Sequence, residues 1–567
     1  MLANLTPVET RGRDSQFVRE CSLRGLQDRL PLRWPTTADI PPSPKRSYRS
    51  HYAYQPEPDI LNPSTWEHLS DFDLILRLVD FSGLRPLLAH LLGWTSAGGH
   101  CPFDPVSMFL LHGWQITHGW SRADTLNNLH HPRYADYARY FGFMDGNFPT
   151  EGGMRYFLTT LGHNSDADCQ PVKVQLDHGQ SVEIATQRLN QLIAASVVII
   201  REANILSPET WEQAWVCPDG MIHDAASQMG CISVQDTCYQ PTSLQHPRPC
   251  PAKDKDRRGC QCDTSACAQV CRYATPRDPQ ARYIWYSGSN QPNHSPNQAT
   301  HPDKSQKKSG EAHYGYRSLP LQLSDPARRL SIVLLDDFFP ANLREENHAT
   351  AHLLQLTTFY PDLTLEAVAG DAGFGYYAFL HTTYQLGAKR VIDLRADPSD
   401  KNKALWPIRG YDDKGRPVCP FGYALTANGF DAYRKRHKWF CAQVCLKGAS
   451  PRVTLPNLLY PPPECPYQAA DRPLGLIKNV GFAFDDGSFR LVRDIPLDTP
   501  TWKRFYHHPR NAAESRNAAM QRWGLKRMPV YGLPRSKALI FQADVWLNLS
   551  TLARLVRQAS LHHPRAP

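Results

Sequence analysis

Between Trp66 and about Gly162, apolar side chains recur at the three-to-four-residue spacing that lines one face of a helix. One such stretch carries Phe72, Leu74, Ile75, Leu76, Leu78 and Val79, and a second carries Val106, Phe109, Leu110, Leu111, Trp114 and Ile116. Ser121 is placed to cap a helix holding Ala123, Leu126 and Leu129, and Pro149–Thr150 opens another through Met154, Phe157 and Leu161. The pattern predicts an all-helical module over residues 66–165. Ahead of it, residues 1–60 are rich in Arg, Pro and polar side chains without periodicity, which predicts an extended arm.

A long helix is expected over Val182–Ala203, and beyond it the pattern changes to short apolar runs. These fall at Ala214–Cys217, Tyr316–Leu323, Leu330–Leu335, Leu365–Ala369 and Arg390–Leu394, with an amphipathic helix at Glu345–Leu356 between the third and fourth. Three strands, a helix, then two more strands is the order of a ribonuclease-H-like mixed sheet. The expected class is therefore α+β/α/β: a helical module, then a five-stranded mixed sheet over residues 180–560. Two Cys-containing insertions interrupt that sheet, at about 228–312 and 398–490. No apolar run reaches the ~18 residues of a membrane span. Met1–Glu20 is mixed and charged, so a cytoplasmic protein is expected.

The net charge of +9 is only mildly basic, but its distribution is uneven. Between Thr501 and Lys537 there are nine Lys or Arg and a single acid, Glu514. A solvated helix normally mixes both signs. A lone glutamate in a basic field fits a metal ligand beside a polyanion, while a simple pair with Arg510 one turn earlier is the plainer alternative. Asp219 follows the first strand, in Cys217-Pro218-Asp219-Gly220, and Asp371 follows the fourth, in Gly370-Asp371-Ala372-Gly373. An Asp at a strand end often only closes a turn. Here the first and fourth strands would be neighbours, so both acids would lie side by side. Two-metal phosphodiester chemistry needs carboxylates that converge on ion sites about 3.5–4 Å apart, and hard Mg²⁺ prefers such oxygens. Asp224, Asp336, Asp337 and Asp393 are rival acids whose strand positions suit that role less well.

Eight of the fifteen cysteines lie between Cys217 and Cys271 and four between Cys419 and Cys465. Cys250, Cys260, Cys262, Cys267 and Cys271 form one candidate zinc set, and Cys419, Cys441, Cys445 and Cys465 a second. Unligated thiols are the alternative for both. Trp502, Phe505, Tyr506, Trp114 and Trp120 read as core aromatics.

Together, Asp219-Gly220, Gly370-Asp371-Ala372-Gly373-Phe374-Gly375 and Arg510-Asn511-Ala512-Ala513-Glu514 resemble the DDE motifs of bacterial insertion-sequence transposases. Arg522 or Lys526 fills the basic position about two turns after the glutamate, and Gln521 stands where some members carry Lys. Cys101-Pro102-Phe103-Asp104-Pro105 through Gly162 resembles the helical N-terminal domain of such enzymes. Met221 departs from the small hydroxyl residue that often follows Asp-Gly, and the acids are far apart in sequence because of the insertions. The resemblance implies DNA cleavage at element ends and strand transfer, with Asp219, Asp371 and Glu514 holding Mg²⁺ or Mn²⁺. It also implies double-stranded DNA as partner, bound by the helical module and the N-terminal arm, contacts through Arg510, Arg516, Arg522, Lys526 and Arg527, and a homodimer on DNA. The alternatives are a nuclease on the same fold without strand transfer, and an inactive zinc-containing DNA-binding relative.

Overall fold

The computed structural model describes residues 26–35, 47–57, 60, 62–94, 101–143, 146–164, 169–176, 179–206, 208–227, 278–286, 311–325, 330–393, 410–411, 416–419, 421–433, 436–446, 474–481 and 500–561. The helical module contains α1 (Asp71–Leu78), α2 (Leu84–Leu91), α3 (Pro105–His118), α4 (Arg122–His130), α5 (Ala135–Phe141) and α6 (Glu151–Asn164). Their starts are written locally. The Ser70 side chain accepts the Asp73 N–H at the head of α1, and Ser121 with Asp124 forms a reciprocal capping box on α4. Gly119 ends α3 in the left-handed conformation that glycine adopts without steric penalty.

The described parts of residues 1–60 are less free than an arm. Leu26, Trp34 and Tyr52 are buried, Leu32–Arg33 pairs with Val79–Asp80, and Trp34 stacks on Phe81 at 5.4 Å. The long helix expected over Val182–Ala203 is also divided. Ser181–Ile184 is the second strand (β2) of a hairpin whose first strand is β1 (Val172–Gln175), and only Asn190–Glu202 is helical, as α7. Alternation at Val182 and Ile184 follows the period of a strand, and this local pairing overrides the helical continuation.

The central sheet is built from β3 (Ala214–Pro218), then, after β4 (Met221–Asp224), β5 (Arg282–Tyr286) and β6 (Glu311–Ser318), from β7 (Leu321–Asp325) and β8 (Leu330–Leu335). It continues past β9 (Phe338–Pro340) and α8 (Glu345–Phe359) with β10 (Leu365–Gly370), α9 (Tyr377–Gln385) and β11 (Lys389–Ile392). Its order is β8-β7-β3-β10-β11; β10 is parallel to both β3 and β11, while β7 runs antiparallel to β3 and β8. The strand expected over Tyr316–Leu323 is two strands. The chain turns at Leu319–Pro320, where Pro320 has no N–H to continue a ladder, and β6 leaves for a second sheet with β4, β5 and β9. Similar breaks at Asp219–Gly220 and Asp336–Asp337 pass β3 into β4 and β8 into β9. The Arg282–Tyr286 part of the first insertion thereby extends this second sheet, and the described part of the second insertion forms a small antiparallel sheet of its own, Thr426–Asp431, Arg436–Phe440 and Ile477–Gly481.

Two long helices close the chain, α10 (Pro500–Arg522) and α11 (Leu533–Leu561). Alternate residues of β10 face opposite ways: Ala367 and Ala369 join Cys217, Val391, Trp502, Phe505 and Ala513 under α10, while Val368 joins the main core on the other side. Small residues on the α10 side let the helix approach the sheet closely. Helix α11 threads the N-terminal module. Its Trp546 lies 4.8 Å from Phe72 and 5.7 Å from Phe109, ring to ring, and a Cβ on Gly113 would come within 1.9 Å of the Trp546 ring. A Cβ on Gly162 would meet the Pro534 carbonyl at 1.9 Å. Farther along, the Asn548 amide accepts from Val333 N–H and donates to Val333 C=O, both at 2.8 Å, so the same helix covers the outer edge of β8. The two expected domains thus share one continuous hydrophobic core. Among the described residues, no helix is long and apolar enough to cross a membrane.

Candidate active site

Parallel register between β3 and β10 aligns Trp215 with Ala367 and Val216 with Val368. Carried on by three residues, that register brings Asp219 level with Asp371 on neighbouring strands, whose backbones lie about 4.8 Å apart in a sheet. Asp371 caps the short turn that follows, accepting the Gly373 N–H at 2.8 Å. Helix α10 crosses this end of the sheet and presents Arg510, Glu514 and Asn517, spaced i, i+4, i+7, along one face. Arg510 Nη1 donates to Asp219 Oδ1 at 2.6 Å, Asn517 Nδ2 donates to Asp219 Oδ2 at 2.8 Å, and Arg510 Nη2 lies 3.6 Å from Glu514 Oε1. Asp219 and Glu514 thus meet at Arg510, and the field of Asp371 reaches both Asp219 and Arg510.

Their environments differ. The Asp219 side chain is 12% exposed, and the Glu514 side chain, at the rim, is 63% exposed. Burial raises the Asp219 pKa; Arg510 opposes the shift, and the negative fields of Asp371 and Glu514 add to it. Arg510 is half-buried; burial works against its charge, but Asp219, Cys217 and Asp371 hold it firmly protonated. Burial pushes the Cys217 thiol well up, so it stays neutral beneath the acids.

A fourth carboxylate faces the same point. Glu345, the first residue of α8, pairs through Oε2 with Arg317 Nη1 at 2.9 Å. A Cβ on Gly220 would sit 2.6 Å from Glu345 Oε2, and one on Gly373 would sit 3.5 Å from Glu345 Oε1. The glycines that follow the two aspartates leave the space this carboxylate occupies. Burial raises the Glu345 pKa, Arg317 lowers it, and Asp371, Glu346 and Asp219 push it up again. Arg317 is itself buried, and its Nε has no hydrogen-bond partner among the described residues. In the sequence Glu345 served only to open a predicted helix, where an acid suits the dipole. Its place at the head of the helix between the third and fourth predicted strands was the available signal, and Asn517 gave none.

The basic residues divide. Arg522 and Arg527 are exposed, and Lys526 is half-buried with its Nζ donating to Ile222 C=O at 3.0 Å. Arg516 is corrected from DNA contact to core residue, because its side chain is 0% exposed. It donates from Nε to Asp544 Oδ1 at 2.9 Å, from Nη2 to Asp336 Oδ2 at 3.0 Å and from Nη1 to Ser318 Oγ at 2.7 Å. Ser318 Oγ is also 2.8 Å from His223 Nε2, whose Nδ1 lies 2.7 Å from Leu525 C=O. Nδ1 must therefore donate to the carbonyl, leaving Nε2 to accept from the hydroxyl. Arg510, expected to touch DNA, is engaged with Asp219. Among the rivals, Asp336 thus belongs to the Arg516 network, Asp337 accepts from His348 at 2.5 Å, Asp224 pairs with His313 and Asp393 accepts from Tyr506.

Cys250, Cys260, Cys262, Cys267, Cys271 and Cys465 lie outside the described residues. Cys419 Sγ accepts the Tyr423 N–H at 3.4 Å, Cys441 Sγ accepts from Leu476 N–H at 3.1 Å, and Cys445 is half-buried. Among the described residues, no three His, Cys, Asp or Glu groups already form a cage of metal-binding size; Arg510 and Arg317 stand among the acids instead. The donor set itself is one of hard carboxylate oxygens, which suits Mg²⁺ or Mn²⁺. Compared with protein-family models, curated proteins and solved structures, the chain matches none.

Proposed function

We propose that this chain is a DNA transposase of the DDE type, acting on the ends of a mobile element through a ribonuclease-H-like catalytic unit. The observation that carries the reading is the approach of Asp219, Asp371 and Glu514 around Arg510 at one end of β3 and β10. The order β8-β7-β3-β10-β11, with its one antiparallel strand within and a helix layer on each face, supports the fold assignment. Asp219, Asp371 and Glu514 would hold Mg²⁺ or Mn²⁺, with Glu345 within reach. Such an ion, when bound, supplies Lewis-acid activation of a water or 3′-hydroxyl and stabilises the leaving oxygen.

The remaining work belongs to the protein. Asn517 orients the Asp219 carboxylate, and Arg317 holds Glu345 toward the pair of glycines. Arg510 neutralises the acids while no cation is present, and its fork geometry fits a phosphate when released from Asp219. Arg522 and Arg527, both exposed, would contact the DNA backbone. A homodimer would bring two ends together, and the Cys419, Cys441, Cys445 and Cys465 set would bind structural zinc.

The test is Mg²⁺-dependent nicking and joining with a pre-cut duplex end, comparing wild type with Asp371→Asn. We expect strand transfer by wild type and a loss of at least ~10³-fold in the variant, since a metal-ligating charge is removed. Equal activity in the two proteins would remove the catalytic role. Hydrolysis without joining by wild type would favour a nuclease, and inertness of wild type would favour the DNA-binding relative.

A further inference from the structure

A cleft of about 500 Å³ opens where four elements meet: the start of α1, the end of α3, the end of α10 and the later turns of α11. Backbone packing fixes this junction, since a Cβ on Gly119, which ends α3, would lie 3.6 Å from the Trp523 carbonyl just past α10. Along α11, Leu547, Ser550, Thr551 and Arg554 are spaced i, i+3, i+4, i+7 and form one wall. Arg522, the last residue of α10, lines the same space.

Its positive charge is uncompensated. Asp71 is the acid that lines the cleft, and it is committed to Arg557, which also donates to the Trp66 and Leu69 carbonyls. Arg522, Arg554 and the Ser550 hydroxyl make no hydrogen bond or ion pair among the described residues. Burial lowers the Arg554 pKa, and the Asp71 field opposes that shift. His118 Nδ1 lies 2.9 Å from the Trp114 carbonyl, which can only accept, so Nδ1 carries the hydrogen and Nε2 is left as an acceptor. Burial also holds the His118 pKa below its usual value, which keeps the ring neutral at pH 7. Flat side chains complete the lining: Phe72 and His118 meet edge to face at 6.2 Å, and the Trp523 indole joins them.

Bare guanidiniums call for an anion, and their planar forks suit phosphate oxygens in particular. Inorganic phosphate alone would leave most of the space and the aromatic lining empty. The volume falls in the range of sites for small organic ligands, and a duplex is too wide to enter it. Aromatic side chains favour a flat ring, and a neutral imidazole acceptor favours a ring that carries an N–H donor.

We infer that this cleft binds a free nucleotide, with its phosphates on Arg554 and Arg522 and its base among Phe72, His118 and Trp523. The site goes beyond the transposase reading and does not depend on it. The two touch at Arg522 alone: a nucleotide there occupies a guanidinium that the DNA backbone would otherwise use, whereas Arg554 belongs to the cleft.

The experiment is isothermal titration calorimetry of the full chain, without DNA and in EDTA, using ADP, adenosine and inorganic phosphate as probes. ADP should bind in the micromolar range, and adenosine and phosphate each at least about tenfold more weakly, because each meets only part of the lining. Arg554→Gln should weaken ADP roughly tenfold to a hundredfold through loss of a charge-assisted hydrogen bond. Arg554→Lys, a point charge without the fork, should fall between the two. Arg554 is exposed, so these variants should keep the wild-type urea midpoint. Ser550→Trp keeps both guanidiniums but fills the space, and it should abolish ADP binding. No ADP binding by wild type at millimolar concentration overturns the site, as does ADP binding that Ser550→Trp leaves unchanged. A duplex that loses affinity in Arg554→Gln by the same factor as ADP makes the cleft part of the DNA path and overturns the nucleotide assignment. None of these outcomes bears on the nicking comparison with Asp371→Asn, which judges the transposase reading separately.

Discussion

Replacing Arg516 with methionine would leave two carboxyls, Asp336 and Asp544, facing each other in the dry interior. Both are 0% exposed, and together they receive three hydrogen bonds from the one guanidinium. Removing one partner of such a buried ion network costs about 3–5 kcal/mol, because the charge left behind is uncompensated. Burial, then the Asp544 charge, already raise the Asp336 pKa above the usual carboxylate range, with Arg516 opposing. Without Arg516 nothing opposes that upward shift, and the Asp336 carboxyl must hold its proton to stay folded. A folded pKa raised above the unfolded value gives stability that is present below the unfolded pKa and lost as pH rises through the folded one. The deficit of Arg516→Met should therefore be larger at pH 7.5 than at pH 5. Urea denaturation of wild type and variant at the two pH values measures it. Adding Asp336→Asn and Asp544→Asn to Arg516→Met should recover more than half of the loss, since the amides carry no charge. The amide oxygen introduced at position 336 can still accept the Leu319 N–H that Asp336 accepts at 2.8 Å. A deficit under about 1 kcal/mol that does not change with pH would refute the reasoning, as would a triple variant no better than the single.

Two further outcomes follow from the core. Burial lowers the pKa of His112 and His352 to about 4 and of His223 to about 3, so all three fold in the neutral form. Depressed values make this stability complete above the unfolded pKa near 6.5 and lost as pH falls toward 4. For His112 alone the loss between pH 7.5 and pH 5 is about 2 kcal/mol; His112→Gln should shrink the pH dependence of the urea midpoint by that much, and an unchanged dependence would contradict the assignment. Gly113→Ala would drive a methyl into the fully buried Trp546 ring; we expect a loss of about 1–3 kcal/mol by thermal or urea unfolding, as in other overpacked cores, and wild-type stability would mean that α11 is not seated there.

Much of the sheet was legible because its strands are short apolar runs bounded by turns. Ala214–Pro218, Leu330–Leu335 and Leu365–Gly370 lie within a residue of their expected limits. The break at Leu319–Pro320 was hidden because Tyr316, Leu319, Leu321 and Leu323 are apolar on both sides of it, so the run reads as one strand while its halves serve two sheets. Asp219 and Asp371 were readable from their place at strand ends beside glycine. Glu345 was not, since an acid opening a helix needs no site to explain it, and only the space left by Gly220 and Gly373 reveals where it points. Arg516 was misread for a related reason. Sequence counts its charge among those of Arg522 and Arg527, but helical spacing turns it toward Asp544, which lies 28 residues on and belongs to another helix. The same distance hid the part that α11 plays in the N-terminal module.

Ribosomal synthesis gives that last arrangement a temporal meaning. Residues 71–164 emerge long before Leu533–Leu561, so for most of translation Phe72, Phe81 and Phe109 lack the indole that fills the gap between them. The amino-terminal helices must wait, partly assembled and with greasy surface open to chaperones, until the last helix leaves the exit tunnel. A nascent chain halted before Leu533 would carry α1 to α6 without the Trp546 ring that closes the core over Phe72, Phe81 and Phe109.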